Sequence, residues 1–459
     1  MDYLIKNVFI LTMNEAMDVY PNGYIGIEGD TITVLGHGDG DAVLRRSGIE
    51  NGGKNAEGWK KRAGPEVIDG RGAIAVPGFI NAHTHAGMIP FRSLGDDCPD
   101  RLRRFLFPLE LQAMTPGLVY ASTRYACAEM LLAGITCFVD MYYFEDMAAL
   151  AVQEMGMRAF LGETVIGEPS CDSPEPYGSL ALGEMFIQKW KDDELITPMI
   201  APHATNTNSP EKIKEAATLA RRHGVPLTMH VSEMDYEMAH FRETYGQSPI
   251  AFLESLGILG PDVIAAHCIH VDAQDIRLLS RNKTAVVHCI GANTKSAKGV
   301  APVKAMREAG VPVALGTDGP ASGNTLDMFT QFDLFAKFHK TANADRALFP
   351  AETIVPLATS GAAKALNRYH LIGSLEPGKK ADVTLVETAS VNMFPRFDPY
   401  SVLVYSAKAA NVDTVFVNGR PLVRNKRLTR SSLDKLQSSL AEAMTDFIKE
   451  AQKRREQRQ

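Results

Sequence analysis

Two histidines one residue apart, His83 and His85, close a buried apolar run, AIAVPGFINAHTH over residues 73–85. A strand's two-residue period puts both imidazoles on one face, and two ligands on one face make half of a metal site. An H-x-H alone is a weak signal, because loops of small residues often carry histidines. Other candidates close other apolar runs: His230 in VPLTMHVSE, His267 in VIAAHC and Asp318 in PVALGTD. A lone buried histidine is ordinarily satisfied core. Several His and Asp side chains converging from separate strands are hard to accommodate as packing, since each uncompensated polar burial costs about 1–3 kcal/mol. Together they point to a metal site. Glu233, three residues past His230, turns off its strand where it can reach over an ion without coordinating it, which suits a proton shuttle.

These residues need a scaffold that brings strand ends together. Between about 73 and 318, Val/Ile/Ala-rich runs alternate with amphipathic stretches, the mark of parallel β/α units. Eight runs can be counted: 73–85, 135–141, 158–165, 196–204, 225–233, 263–268, 284–289 and 312–318. Thr115-Pro116 opens and Gly134 closes one intervening helix, and Ser209-Pro210 opens another. Eight units predict a (β/α)8 barrel, whose C-terminal rim is where barrel enzymes keep their active sites. All five candidates above fall on that rim.

Before and after the barrel the texture is short strands and turns, neither piece large enough to bury a sheet alone. The two ends are expected to meet as a composite β-sandwich, its parts at 1–68 and 369–430, flanking a catalytic barrel at 69–368. A Leu/Ala-rich segment, 431–459, reads as a solvated, fraying helical tail. The polar, Gly-rich stretch 45–64 reads as an exposed loop. Residues 86–110 are too long for an ordinary βα connection and read as a lid or pocket wall.

Composition narrows the function classes. The 459 residues are 45% hydrophobic and 22% charged, which excludes disorder, and 48 basic against 54 acidic residues give −6. No nucleic-acid or anionic-membrane surface is implied, and no run of about 18 apolar residues is long enough to span a bilayer. Six cysteines without a C-x-x-C pair suggest neither a disulfide framework nor a thiolate zinc site. With an N-terminus that reads as a strand, a cytoplasmic protein with a small-molecule partner is expected.

PGFINAHTHAGM, APHA, HVSE, AAHCIHV, GVAPV, GTDGPAS and SLEPGKKADVTLVE, spread over nearly the whole chain, resemble the amidohydrolase superfamily. Within it the likeness is to the methylthioadenosine/S-adenosylhomocysteine deaminases and the related chlorohydrolases acting on triazines. The resemblance implies that His83, His85, His230 and Asp318 hold one divalent metal, with Glu233, His267 and Asp318 catalytic. It also implies substrate contacts from Glu110, Arg158, His203 and Glu233, and a dimer. An arginine opening a strand can equally pair with a neighbouring acid, and Glu110 can equally be a surface residue. Where two-metal relatives carry a bridging lysine this chain has Ala201-Pro202-His203, so one metal is expected. Nitrogen and oxygen ligands suit zinc and also admit iron or manganese.

Two departures bear on the substrate. No arginine follows Arg158 before Arg221, and the segment after strand seven reads His288-Cys289-Ile290-GANTKSAKGVAPV. The expected activity is hydrolytic deamination of an aminated purine, pterin or similar heterocycle. A hydrolase of the same fold expelling chloride or an alkylamine from a triazine, or opening a cyclic amide, is the second reading, and a non-enzymatic scaffold the third. A carboxylate-bearing tail normally wants an arginine fork, which Lys295 or Lys298 replaces only if their loop folds over the pocket.

Overall fold

The computed structural model describes residues 1–46, 64–98 and 101–456, so residues 47–63 of the expected polar loop lie outside the described residues. The N-terminal strands are β1 (Tyr3–Leu11), β2 (Val19–Glu28), β3 (Thr31–His37) and β4 (Glu66–Pro77). Eight parallel strands follow: β5 (Phe79–Thr84), β6 (Ile135–Tyr142), β7 (Arg158–Val165), β8 (Ile196–Pro202), β9 (Leu227–Val231), β10 (Val263–His267), β11 (Ala285–His288) and β12 (Val313–Leu315). They are the eight apolar runs read from the sequence. The chain ends with β13 (Val383–Val386), β14 (Val412–Val417), β15 (Arg420–Arg424) and β16 (Arg427–Leu428).

Each strand from β5 to β12 pairs with its sequence neighbour, and the helices between them cover the outside. Every residue of β6 and of β7 is buried, as a parallel sheet covered on both faces requires. The seam between β12 and β5 is closed by a side chain. Asn81 donates from Nδ2 to Thr317 Oγ1 at 2.7 Å, and its Oδ1 accepts the Thr317 N–H at 2.9 Å. Beside it the Asp318 N–H donates to the His83 carbonyl at 3.0 Å. Gly316 permits this approach, since a Cβ there would stand 2.9 Å from the His83 backbone.

The two chain ends meet in one eight-stranded sheet, ordered β16-β15-β14-β13-β4-β1-β2-β3, beside the barrel. The run 73–85 divides between the two sheets. It reads as one strand, but β4 stops at Pro77 and β5 starts at Phe79, with Gly78 between them so close to Thr136 that a Cβ would lie 2.1 Å from it. A boundary at 68 therefore cuts β4, which pairs with β1 and β13 in the terminal sheet.

The tail differs from expectation. Helices Leu433–Ala443 and Thr445–Glu456 bury Leu436, Leu440, Phe447 and Ala451, and the Phe447 ring sits edge-on to Phe91 at 4.8 Å. The polar, basic end of the segment masks apolar residues spaced about one turn apart on each helix, Leu436 and Leu440 on the first and Phe447 and Ala451 on the second. All six cysteines are free, and no helix among the described residues is long and apolar enough to cross a membrane.

Candidate active site

His83 lies on β5 with His85 just after it, His203 follows β8, His230 is on β9, His267 ends β10 and Asp318 follows β12. Strand direction alone thus gathers them at one rim. One ligand atom from each of His83, His85 and His230 lies within 4.8 Å of the others. The Nε2 atoms of His83 and His230 are 3.2 Å apart, and His85 Nε2 is 3.3 Å from Asp318 Oδ1. For metal–ligand bonds of about 2.0–2.1 Å, a tetrahedral site has ligand–ligand edges of about 3.3 Å.

The chemistry of these atoms tests whether an ion fits. His85 Nδ1 faces the Met141 carbonyl at 2.6 Å and His230 Nδ1 faces the His203 carbonyl at 2.7 Å. A carbonyl only accepts, so both Nδ1 atoms carry the proton and both Nε2 lone pairs point inward. Neutral, His85 Nε2 would face the Asp318 carboxylate as acceptor against acceptor. Burial lowers the pKa of this ring, but the Asp318 carboxylate outweighs it and pushes the ring up to about 9, so a proton or a shared cation sits between the two. Burial, reinforced by the neighbouring imidazoles, holds His83 and His230 well below the usual histidine range, so both stay neutral and able to coordinate. The residues fit a divalent ion.

Three residues at the rim have a left-handed backbone. Ser232 (φ 52°), His267 (φ 73°) and Asp318 (φ 61°) are left-handed without being glycine. Such residues cost about 1–3 kcal/mol each and persist where the surroundings over-determine them. Here they sit at the ends of β9, β10 and β12, and His267 and Asp318 line the cleft.

Glu233 lines the same cleft as Asp318, outside the ligand group. Its Oε1 is 3.6 Å from His267 Nε2 and accepts from Lys298 Nζ at 2.5 Å. Burial alone would raise its pKa, but His267 and Lys298 outweigh it and hold the carboxyl at about 2. His267 is oriented in turn by Asn293 Oδ1, 3.0 Å from its Nδ1. The cleft is lined by Met88, Arg103, Leu106, Phe107 and Glu110 among others, so described residues of the 86–110 segment form part of the pocket wall. Burial pushes Glu110 up to about 7, and buried His203 is pushed down to about 4.

Arg158 is not part of this cleft. It opens β7 at the opposite end of the barrel, where Nε meets Asp382 Oδ2 at 3.1 Å and Nη2 meets Asn418 Oδ1 at 3.2 Å. A residue that starts a parallel strand cannot face a site built at strand ends, so its role as a substrate contact is corrected to a clasp between barrel and terminal sheet. Arg158→Ala is expected to destabilise folding by about 3–5 kcal/mol, because it strands a buried carboxylate. Denaturant unfolding should show this with metal content and KM unchanged at temperatures where the protein stays folded.

Three contributors carry no motif. Lys298, on the departing segment after strand seven, does fold over the pocket, but onto Glu233 and not toward an open anion site. Lys295 is occupied by Asp96 and Asn324 at 2.9 and 2.7 Å. Asn293 and Glu237 act from behind. The Glu237 carboxylate accepts the N–H groups of Ser232 and Glu233, both at 2.9 Å, and so fixes the HVSE turn. An acidic residue in the first turn of a helix is the signal that would have flagged Glu237. His288 faces away from the cleft and pairs with His339, Nε2 to Nε2 at 3.2 Å.

A metal-binding barrel with a composite terminal sheet is the class that fold and site define. Residues 74–422 match the model of the amidohydrolase family, and the chain belongs to that family. It is 38% identical to the 5-methylthioadenosine/S-adenosylhomocysteine deaminase of Syntrophobacter fumaroxidans, over 95% of this chain and 96% of that one. It is 36% identical to the 5'-deoxyadenosine deaminase of Methanosarcina acetivorans, over 98% and 99%. Among solved structures it superposes on an adenosine deaminase of Xanthomonas campestris with bound zinc, with a TM-score of 0.90 at 29% identity, covering 98% of this chain and 99% of that one.

Proposed function

We infer that this protein is a metal-dependent deaminase that releases ammonia from an aminated N-heterocycle, an adenine nucleoside foremost. The observation that carries this is a Glu233 carboxylate held beside His267, in the same cleft as Asp318 yet outside the ligand group. Relatives named for deamination of methylthioadenosine, S-adenosylhomocysteine and 5'-deoxyadenosine support the substrate class. His83, His85, His230 and Asp318 would hold one ion, zinc by its fit to three imidazoles and a carboxylate, with iron or manganese as alternatives. The ion would supply Lewis acidity, lowering the pKa of water at the site toward about 7.

The chain's own groups then divide the proton work. Asp318 accepts a proton from the attacking water. Glu233, a carboxylate at neutral pH, takes up the other proton and passes it to the ring nitrogen beside the amino-bearing carbon. His267, fixed by Asn293, donates toward the oxygen as the carbon becomes tetrahedral. The proton held by Asp318 leaves with ammonia. His203 and Phe107, rings 5.9 Å apart, offer a wall for a planar ring, and Glu110 offers an acceptor for sugar hydroxyls.

An ammonia-release assay over aminopurine nucleosides, pterins and chlorotriazines tests the reading. Ammonia should come fastest from an adenine nucleoside. Chloride release from a triazine as the dominant reaction, or no ammonia from any ring by the metal-loaded protein, would overturn it. With Lys298 and Lys295 engaged and Arg158 elsewhere, the cation that an anionic arm finds among the described residues lining the cleft is Arg103, 5.1 Å from the Tyr236 ring centre. The kcat/KM for S-adenosylhomocysteine should therefore exceed that for methylthioadenosine by less than about tenfold.

A further inference from the structure

The wall that carries Glu110 is not anchored by the barrel alone. Glu110 belongs to a short helix, Phe107–Ala113, following the π-helical turn Leu102–Leu106. A seven-residue helix with no side-chain cap at its N-terminus is marginal by itself. Its outer side is covered by the last helix of the chain, Thr445–Glu456. Arg454 Nη2 donates to Gln112 Oε1 at 2.5 Å, two residues past Glu110. On the same last helix, Phe447 is buried edge-on against Phe91, the end of the 3-10 turn Ala86–Phe91 that starts directly after His85. One helix thus braces both ends of the wall segment. Upstream, Leu436 and Leu440 fasten the tail, and Arg430 Nη1 holds the Gln153 and Glu154 carbonyls, each at 3.1 Å.

We propose that the C-terminal helix, through Phe447 and Arg454, is a positioning element that sets Glu110 against the substrate's sugar hydroxyls and so governs discrimination between nucleosides. The proposal rests on the deaminase reading above. Phe447 and Arg454 touch neither the ligand histidines nor Glu233, so loss of the brace acts on hydroxyl recognition while the ring chemistry stays intact. A merely structural role would lower stability and leave discrimination as it was.

The test uses the full-length, metal-loaded protein and the ratio of kcat/KM for adenosine to that for 2',3'-dideoxyadenosine. Glu110→Gln should lower this ratio about tenfold, the scale of one hydrogen bond. Phe447→Ala and Arg454→Ala should each lower it in the same direction, with metal content and kcat for the dideoxy substrate unchanged. Phe447→Leu should restore most of it. Adding Arg454→Ala to Glu110→Gln should produce no further fall. Phe447→Ala may be replaced by Arg454→Ala alone should it fold poorly, because Arg454 is partly exposed and its loss leaves the core intact. Ratios within about twofold of the parent in folded variants, or a fall shared equally by both substrates, would overturn the proposal. A parent that releases ammonia from no aminated ring refutes the functional reading itself, and the proposal with it. A parent that deaminates both without discrimination refutes only the proposal.

Discussion

Glu233→Gln is expected to keep the metal and the fold while lowering kcat by about 10²- to 10⁴-fold, the usual contribution of a general acid-base group. The substitution preserves volume and leaves an oxygen that can still accept from Lys298, 2.5 Å away in the parent. What disappears is the ability to take up a proton and hand it on. Because His267 and Lys298 hold this carboxyl at about 2, it carries no proton of its own at neutral pH, and in the proposed role it would act as a relay. Single-turnover kinetics on adenosine, with metal content measured on the same sample, separates this from a binding defect. A Gln variant that loses its metal, or one that turns over within a few-fold of the parent, would show that Glu233 has been given the wrong role.

His230→Ala should instead lose metal and activity together. Its Nε2 stands 3.2 Å from His83 Nε2, one edge of the ligand group, and its ring is aimed by the His203 carbonyl. Removing it leaves two imidazoles and a carboxylate, one ligand short of a closed structural set and with a gap that cannot collapse. Elemental analysis of the parent should show about one divalent ion per chain, and the variant much less than that after the same purification. Thermal unfolding adds a second readout, since an ion bound only by the folded state stabilises it and a chelator should lower the parent's Tm. The variant's Tm should not respond to the chelator. Two ions at full occupancy, or a metal-free parent that retains its activity, would refute the one-metal site.

Much of this protein was legible along the chain because the informative pattern is local. Each barrel strand is a short apolar run, and a parallel sheet buried on both faces writes that run without reference to its neighbours. His83, His85, His230, His267 and Asp318 close such runs, so a barrel topology is enough to bring them to one rim. Glu233 follows from the same logic, three residues beyond His230. Tertiary structure decided the rest. Arg158 stands at the start of β7, and its partner Asp382 is 224 residues away, so its charge says nothing about which end of the barrel it serves. Lys298 meets Glu233 across 65 residues, which turns a prospective anion site into the neighbour that keeps this carboxylate ionised. Arg454 reaches Gln112 over 342 residues and makes a wall brace of what reads as a fraying tail. Periodicity records which face of an element is buried, but pairings over such distances depend on how whole elements pack, and that information is not written at either residue.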